Sequence, residues 1–406
     1  MSPFEESWRS ASTTVQDKEE RRILFATLDS FRQYRRVAHF NVTHRRRQNF
    51  YALPLSEWQL LSGPPINFLE TLEHVDDALD ANADVAAEIL KIGLESFGLE
   101  TESGVDPIHW HGEAKSSDMD KARSTVRQFY RDWSSEGAGE RQTSYGPVLR
   151  DIDAAFTNVA NKGDIKVLVP GAGKCLGRLL FELCKQGYDV EGNEISYHQL
   201  IASNWILNHC DEAEQYTLFP FASDFSNIIS RADQLKRVKI PDVHVATALA
   251  DSHVAGRKSI RERMKMTAAD FTELYCNAKN RGVFQAVATV FFLDTAQDVV
   301  RYIKTVHHCL EPGGIWSNNG PLLWHWTSPN EQTAKNVPDE QLADQVNRGS
   351  IELSVEEVLK LVRSMGFEID DRGIKDEASA SGYIQNPNSM LQNSYRTSHW
   401  VARKIA

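Results

Sequence analysis

The chain has 406 residues, 41% of them hydrophobic and 25% charged, and 45 Lys and Arg face 56 Asp and Glu for a formal net charge of −11. This is the composition of a soluble globular protein with room for two ordinary domains or one large domain with an extension. The acidic balance argues against a general nucleic-acid binder, and no apolar run approaches the roughly 20 residues that span a bilayer.

The first stretch, residues 6–53, reads as helix, with aromatic and aliphatic residues spaced along a charged background. It carries the one strong basic cluster, Arg45, Arg46 and Arg47, read first as a solvated helix face or loop and second as a phosphate-binding patch. Residues 76–99 give another helix, 109–120 a polar linker, and a new helix runs from about Lys121 to near Gly137. The chain therefore divides at about residue 115.

Beyond that point strands alternate with helices. Val167, Leu168 and Val169 form a short buried strand that runs straight into Gly171 and Gly173, after which Leu176, Leu179, Leu180 and Leu183 take helical spacing. Tyr188 to Gly192 is a second strand leading to Glu194, followed by a helix over SYHQLIASNWILNHC. LFPFASDFS is expected as a third strand with a turn, and VFQAVATVFFLDTA as a strand ending on Asp294. The helix DVVRYIKTVHHC is stopped by Pro312, Gly313 and Gly314, and IWSNNGPLLWHW gives a further strand. Ser354 and Glu357 cap a last helix that Gly366 closes. FEIDDRGI and SHWVARKIA finish the chain as strands with an antiparallel end. The expectation is a doubly wound, mostly parallel sheet.

Strand, glycine turn and helix open a nucleotide-binding unit. Glu194 lies 23 residues after Gly171, where a carboxylate can accept both ribose hydroxyls of NAD or of S-adenosylmethionine. After Gly171-Ala-Gly173 the next glycine, Gly177, is displaced by one from the GxGxxG form that cradles a pyrophosphate. S-adenosylmethionine asks only for close backbone approach, so the turn favours the methyl donor. The five cysteines, Cys175, Cys184, Cys210, Cys276 and Cys309, are scattered without a CxxC and give neither a zinc site nor a disulfide framework. The adjacent His307 and His308 point about 100° apart on a helix and cannot share a metal. No metal is expected, and the compartment is expected to be reducing, cytoplasmic or also nuclear.

Several ordered motifs carry a more specific likeness: RQFYRDWSSEGAGERQTSYGPVL, VLVPGAG with LGRL, GNEISYHQLIASNWILN, FFLDTAQDVVRYI, PGGIWSNNGPLLWHW and SIELSVEEVLKLVRSMGFEI. From about Ser124 onward the chain resembles the carnosine N-methyltransferase family. The resemblance implies a Rossmann-like class I methyltransferase fold over residues 116–406, with 1–115 as an α-helical N-terminal region. It also implies transfer of a methyl group from S-adenosyl-L-methionine to an imidazole nitrogen of a small dipeptide substrate, carnosine, giving anserine. Gln128, Arg131, Gly171, Gly173, Glu194, Asp270 and Phe271 match the family's cofactor residues. Asp294 and His325 match its catalytic positions, and with Tyr383 and Tyr395 its substrate pocket. A homodimer is implied too, with no membrane or nucleic-acid partner.

The chain departs from the family turn GAGLGR by inserting Lys174 and Cys175 before LGR. A tolerated bulge, an altered cofactor pocket and an error in the coding model are the three readings of that insertion. Trp324, where a tyrosine is common, is expected to reshape the substrate side. An NAD-dependent oxidoreductase, a methyltransferase fold that only binds, and a methyltransferase acting on another histidine-containing peptide, a protein histidine or an imidazole metabolite are the alternatives.

Overall fold

The computed structural model describes residues 18–99, 110–250, 260–325, 350–370 and 380–405. The principal helices are α1 (Lys18–His39), α2 (Phe68–Phe97), α3 (Ser116–Trp133), α4 (Gly146–Ala155), α5 (Arg178–Lys185), α6 (Tyr197–Asn208), α7 (Phe271–Tyr275), α8 (Val299–Cys309) and α9 (Val355–Ser364). The strands are β1 (Lys166–Pro170), β2 (Asp189–Glu194), β3 (Tyr216–Leu218), β4 (Val238–Ile240), β5 (Met264–Ala268), β6 (Phe284–Val290), β7 (Leu310–Gly320), β8 (Phe367–Asp370), β9 (Ala380–Ser381), β10 (Tyr395–Arg396) and β11 (Ser398–Lys404). They fall into two units, neither a single stretch of chain: residues 1–138, 196–248 and 383–393 in the first, the remainder in the second.

In the first unit α1 packs on α2 and α3. Leu24, Leu28 and Phe31 of α1 and Leu72, Val75 and Leu79 of α2 recur every three or four residues, so each helix buries one stripe. A π-helical turn, Phe40–His44, follows α1 and runs on into the helix Arg45–Tyr51. The helix expected from Glu6 is seen from Lys18; residues 6–17 lie outside the described residues.

The second unit is a seven-stranded sheet in the order β5-β2-β1-β6-β7-β11-β8. All pairings from β5 to β7 are parallel, and β11 runs antiparallel between β7 and β8. Val167, Leu168 and Val169 of β1 are buried, as a central parallel strand covered on both faces requires. Each such side chain contributes roughly 1.5–3 kcal/mol on burial. Below β7 and β11 the core centres on Trp316 and Trp400, edge to face with centroids 4.7 Å apart. The capping box at α9 forms as expected: the Ser354 hydroxyl accepts from the Glu357 amide at 3.4 Å, and Glu357 accepts from the Ser354 amide at 2.8 Å. The fold is thus the Rossmann-like doubly wound, mostly parallel α/β sheet expected, with helices at the N-terminal end of the chain.

Three expectations are corrected. LFPFASDFS supplies no strand to the main sheet: Tyr216–Leu218 pairs antiparallel with Val238–Ile240 in the first unit, and Pro220 follows two residues on. The third parallel strand is β5, an edge strand whose Lys265 and Thr267 break its apolar pattern. β6 ends at Val290, not at the acid, because Phe291 turns left-handed with φ 51° and puts Asp294 into the 3-10 turn Leu293–Thr295. Pro312, Gly313 and Gly314 do not precede β7 but lie inside its start, where pairing with β6 jumps from Phe284–Leu310 to Ala286–Ile315. Trp326 and residues 371–374, at the ends of two expected strands, lie outside the described residues.

Candidate active site

In the sheet order, β1 is followed by β2 on one side and β6 on the other, so the chain reverses direction at β1. Ligands of doubly wound sheets bind outside the carboxyl ends of the strands at such a switch point. Six of the expected residues follow those ends: Gly171 and Gly173 after β1, Glu194 closing β2, Asp270 after β5, Asp294 after β6 and His325 after β7.

The loop after β1 is built for close approach. Gly171 has φ 67°, and an added Cβ there would collide with the Phe292 ring. Residues 172–175 make one 3-10 turn, closed by the amides of Lys174 to Gly171 O (2.9 Å) and Leu176 to Gly173 O (3.0 Å). Lys174 and Cys175 are therefore part of an ordered turn, with the Cys175 thiol buried against Ala172 O. The Gly173 amide donates to Glu194 Oε2 at 3.1 Å, and the Ile195 amide to Oε1 at 2.9 Å. Glu194 is only 5% exposed, so its carboxylate is oriented by backbone donors.

Asp270 caps α7. Its Oδ1 accepts from the Thr272 amide (2.8 Å), the Thr272 hydroxyl (2.7 Å) and the Glu273 amide (3.0 Å), and none of these bonds uses Oδ2. Phe271 is buried among Tyr275, Phe292 and Tyr302. Phe292 and Tyr302, which sequence reasoning did not single out, stack with centroids 5.0 Å apart. Burial pushes the Tyr302 phenol up to about 12, and the nearby Asp270 and Glu194 carboxylates add to that shift.

Asp294 is 2% exposed. Its Oδ2 accepts from the Leu323 amide at 3.0 Å, and its carbonyl accepts from the His325 amide at 3.2 Å. Burial raises the carboxyl above the usual aspartate range; the Leu323 amide, His325 and Lys174 pull the other way. The His325 side chain is exposed, beside this acid. Trp324 does not face outward: it is buried in the core with its Nε1 donating to Leu353 O at 3.0 Å, because a left-handed φ of 46° turns it inward. Bulky residues at positive φ are strained, and such strain gathers at functional sites. Leu176, Phe291 and Trp324, at φ 42°, 51° and 46°, flank the glycine turn and Asp294. Tyr395 sits edge to face with Phe291, centroids 6.0 Å apart.

Gln128, Arg131 and Tyr383 belong to the first unit. Arg131 is buried and forms a bidentate pair with the adjacent Asp132, Nε to Oδ1 at 2.7 Å and Nη2 to Oδ2 at 3.0 Å. Gln128 Nε2 donates to the same Oδ2 at 3.1 Å, and the guanidinium lies 4.6 Å from the half-exposed Tyr383 ring. Asp132, the residue holding both, carried no signal in the sequence beyond a charge beside a charge. Among the described residues no cluster of three His, Cys, Asp or Glu could hold a metal, and no helix is long and apolar enough to cross a membrane.

Residues 108–406 match the family model described as carnosine N-methyltransferase. The carnosine N-methyltransferase of Schizosaccharomyces pombe is 33% identical over 389 residues, 95% of this chain and 97% of that one. That of Mus musculus is 35% identical, covering 97% of this chain and 89% of its own, and carnosine N-methyltransferase unmet of Drosophila melanogaster is 36% identical, covering 82% and 70%. With a family model over most of its length, and with its sheet and glycine turn in place, this chain is an enzyme of the carnosine N-methyltransferase family.

Proposed function

We propose that this protein transfers a methyl group from S-adenosylmethionine to an imidazole nitrogen of carnosine, giving anserine. Beside family membership, one observation supports the reading most: Asp294, a buried carboxyl next to the switch point, has one oxygen fixed by the Leu323 amide.

The residues after β1 and β2 fit the methyl donor. Gly171 leaves bare backbone where a Cβ would meet Phe292. Both oxygens of Glu194 accept backbone amides, which orients at the end of β2 the carboxylate assigned here to the ribose hydroxyls. When bound, S-adenosylmethionine supplies an electrophilic methyl group on a sulfonium. Asp270, through Oδ2, and the Phe271 amide are assigned to the adenine. Gln128 and Arg131 enter this reading through the family resemblance alone, as does Tyr383.

A neutral imidazole is already nucleophilic, so the protein's task is orientation. Asp294 accepts the N–H of the ring nitrogen that is not methylated, which fixes the tautomer and presents the other nitrogen's lone pair. As the N–CH3 bond forms and the S–CH3 bond breaks, the ring gains positive charge, and the same carboxylate stabilises it. The ring then gives up its remaining N–H proton, and exposed His325 passes that proton to water. Tyr395 offers an aromatic face to the cationic ring. Residues 116–406 serve as the methyltransferase domain with 1–115 as its helical extension, a division supported by the family match. The resemblance extends to a homodimer in the cytoplasm or nucleus, which light scattering and fractionation would read.

The test is incubation with methyl-labelled S-adenosylmethionine and carnosine, with the product's ring position read by NMR. Labelled anserine supports the proposal. Label on another histidyl peptide but not on carnosine replaces the substrate, and no transfer to any imidazole by donor-bound protein overturns it.

A further inference from the structure

The first unit contains a cleft of about 400 Å³ that includes none of the residues assigned to methyl transfer. One wall is a face of α1 and the helical turns after it, with Tyr34, Val42 and Arg45. The other is a face of α3, with Met119, Asp120 and Arg123. Its volume lies within the range of small-molecule sites, about 300–1,000 Å³.

The side chains in it are under-used by the fold. In the basic cluster, Arg47 is paired with Asp76 at 2.6 Å, and Arg46 donates to Val42 O at 2.6 Å and covers the Phe225 ring at 3.7 Å. Arg45 is different: among the described residues it forms no ion pair, and its guanidinium rests only over Phe40, 5.3 Å from the ring centroid. Tyr34 is 6% exposed, yet its hydroxyl makes no hydrogen bond among the described residues. The hydroxyl itself is not sealed off among the buried polar atoms of the fold, so it is open to a ligand in the cleft. Arg123 on the facing wall is held by Asp120 alone, an exposed pair at 3.1 Å of the kind that contributes little. The π-helical turn Phe40–His44 lies in the same wall, between Tyr34 and Arg45, and π turns recur at functional sites.

Two guanidinium groups against one carboxylate favour an anion, and Arg offers only donors. Val42 and Met119 give the cleft an apolar floor. We propose that this cleft binds a small organic oxyanion, a carboxylate or phosphate monoester whose head is held by Arg45, Arg123 and the Tyr34 hydroxyl and whose apolar body lies over Val42 and Met119.

The full-length protein, saturated with S-adenosylhomocysteine, is titrated with 4-bromophenylacetate and 4-bromophenyl phosphate by calorimetry, and crystals are soaked with each. Saturable binding of at least one, with the bromine's anomalous peak inside the cleft, is expected. Arg45→Ala should weaken it about tenfold or more and shift the melting temperature of the unliganded protein little, since the guanidinium's contact is with the exposed Phe40 ring. Tyr34→Phe should weaken it a few-fold. Absence of binding by both probes overturns the proposal, as does binding that Arg45→Ala leaves untouched. Inorganic phosphate binding as tightly as the aryl phosphate overturns the apolar half of it. The same titrations without S-adenosylhomocysteine should give the same probe binding, so failure of S-adenosylhomocysteine to bind bears on the methyl-transfer reading alone.

Discussion

The amide of Gly173 donates to Oε2 of Glu194 across 3.1 Å, tying the loop after β1 to the last residue of β2. The bond sets the carboxylate before any ligand arrives, as the proposed contact with the ribose hydroxyls requires. Hydrogen bonds to a charged acceptor are worth about 1.5–3 kcal/mol each. Glu194→Gln removes the charge and one acceptor oxygen. It should weaken S-adenosylhomocysteine binding by about ten- to a hundred-fold in calorimetry, with far-UV circular dichroism unchanged. Undiminished binding would remove Glu194 from the cofactor site.

Asp294 sets stability against function. Its carboxyl is raised by burial, so the folded state holds the proton more tightly than the unfolded state. That favours folding at low pH, and the benefit is lost as pH rises through the raised folded value. Asp294→Asn keeps an acceptor for the Leu323 amide without the buried charge. At pH 7 its unliganded melting temperature should equal or exceed the wild type, with the gap closing toward acid, while kcat falls at least a hundred-fold. A less stable variant at pH 7 would contradict the burial argument.

His198 on α6 is buried between Ser30 Oγ at 3.0 Å and Thr27 Oγ1 at 3.3 Å of α1. Desolvation pushes its imidazole down to about 4. The neutral ring therefore supports the fold above the unfolded value near 6.5, and that support drains away as pH falls from there to about 4. The full loss is about 3 kcal/mol. Denaturant titrations across this window should show it, and His198→Gln should flatten the slope.

The turn at residues 172–175 is closed by its own hydrogen bonds, with Cys175 buried inside it. Deleting Lys174 and Cys175 takes out half of that turn. We expect the chain as it stands to bind S-adenosylmethionine and the deletion to bring no gain in affinity. If the deletion variant binds and the parent does not, the insertion is the defect instead.

Gly171→Ala forces a side chain into a left-handed position facing the Phe292 ring. It should lower stability by about 1–3 kcal/mol and abolish donor binding, with thermal melts and calorimetry as the two readouts. Loss of stability with donor affinity intact would remove the close-approach role from this glycine.

What could be read in advance follows burial. β1 is covered on both faces, so its apolar run and the glycines after it stand out in one dimension, and Glu194 follows from their spacing. β5 escaped because an edge strand with an exposed Lys265 and a half-buried, hydrogen-bonded Thr267 has no such run. Asp294 was identified but misplaced by the left-handed Phe291, a backbone choice that side-chain pattern does not encode. Asp132 and the Phe292–Tyr302 stack were invisible for another reason: their partners are defined by the fold or by one rotamer, not by a repeating interval.

The placement of β11 bears on how the protein is made. β7 and β8 both precede it along the chain, yet they meet only through it, and Trp400 brings the partner for Trp316. A ribosome must deliver residues 398–404 before either strand can satisfy its open edge. Until then a nascent chain carries two bare strand borders and an uncovered tryptophan. Synthesis arrested before Ser398 would leave a gap in the interior of the sheet, with β7 free to pair with whatever strand comes near.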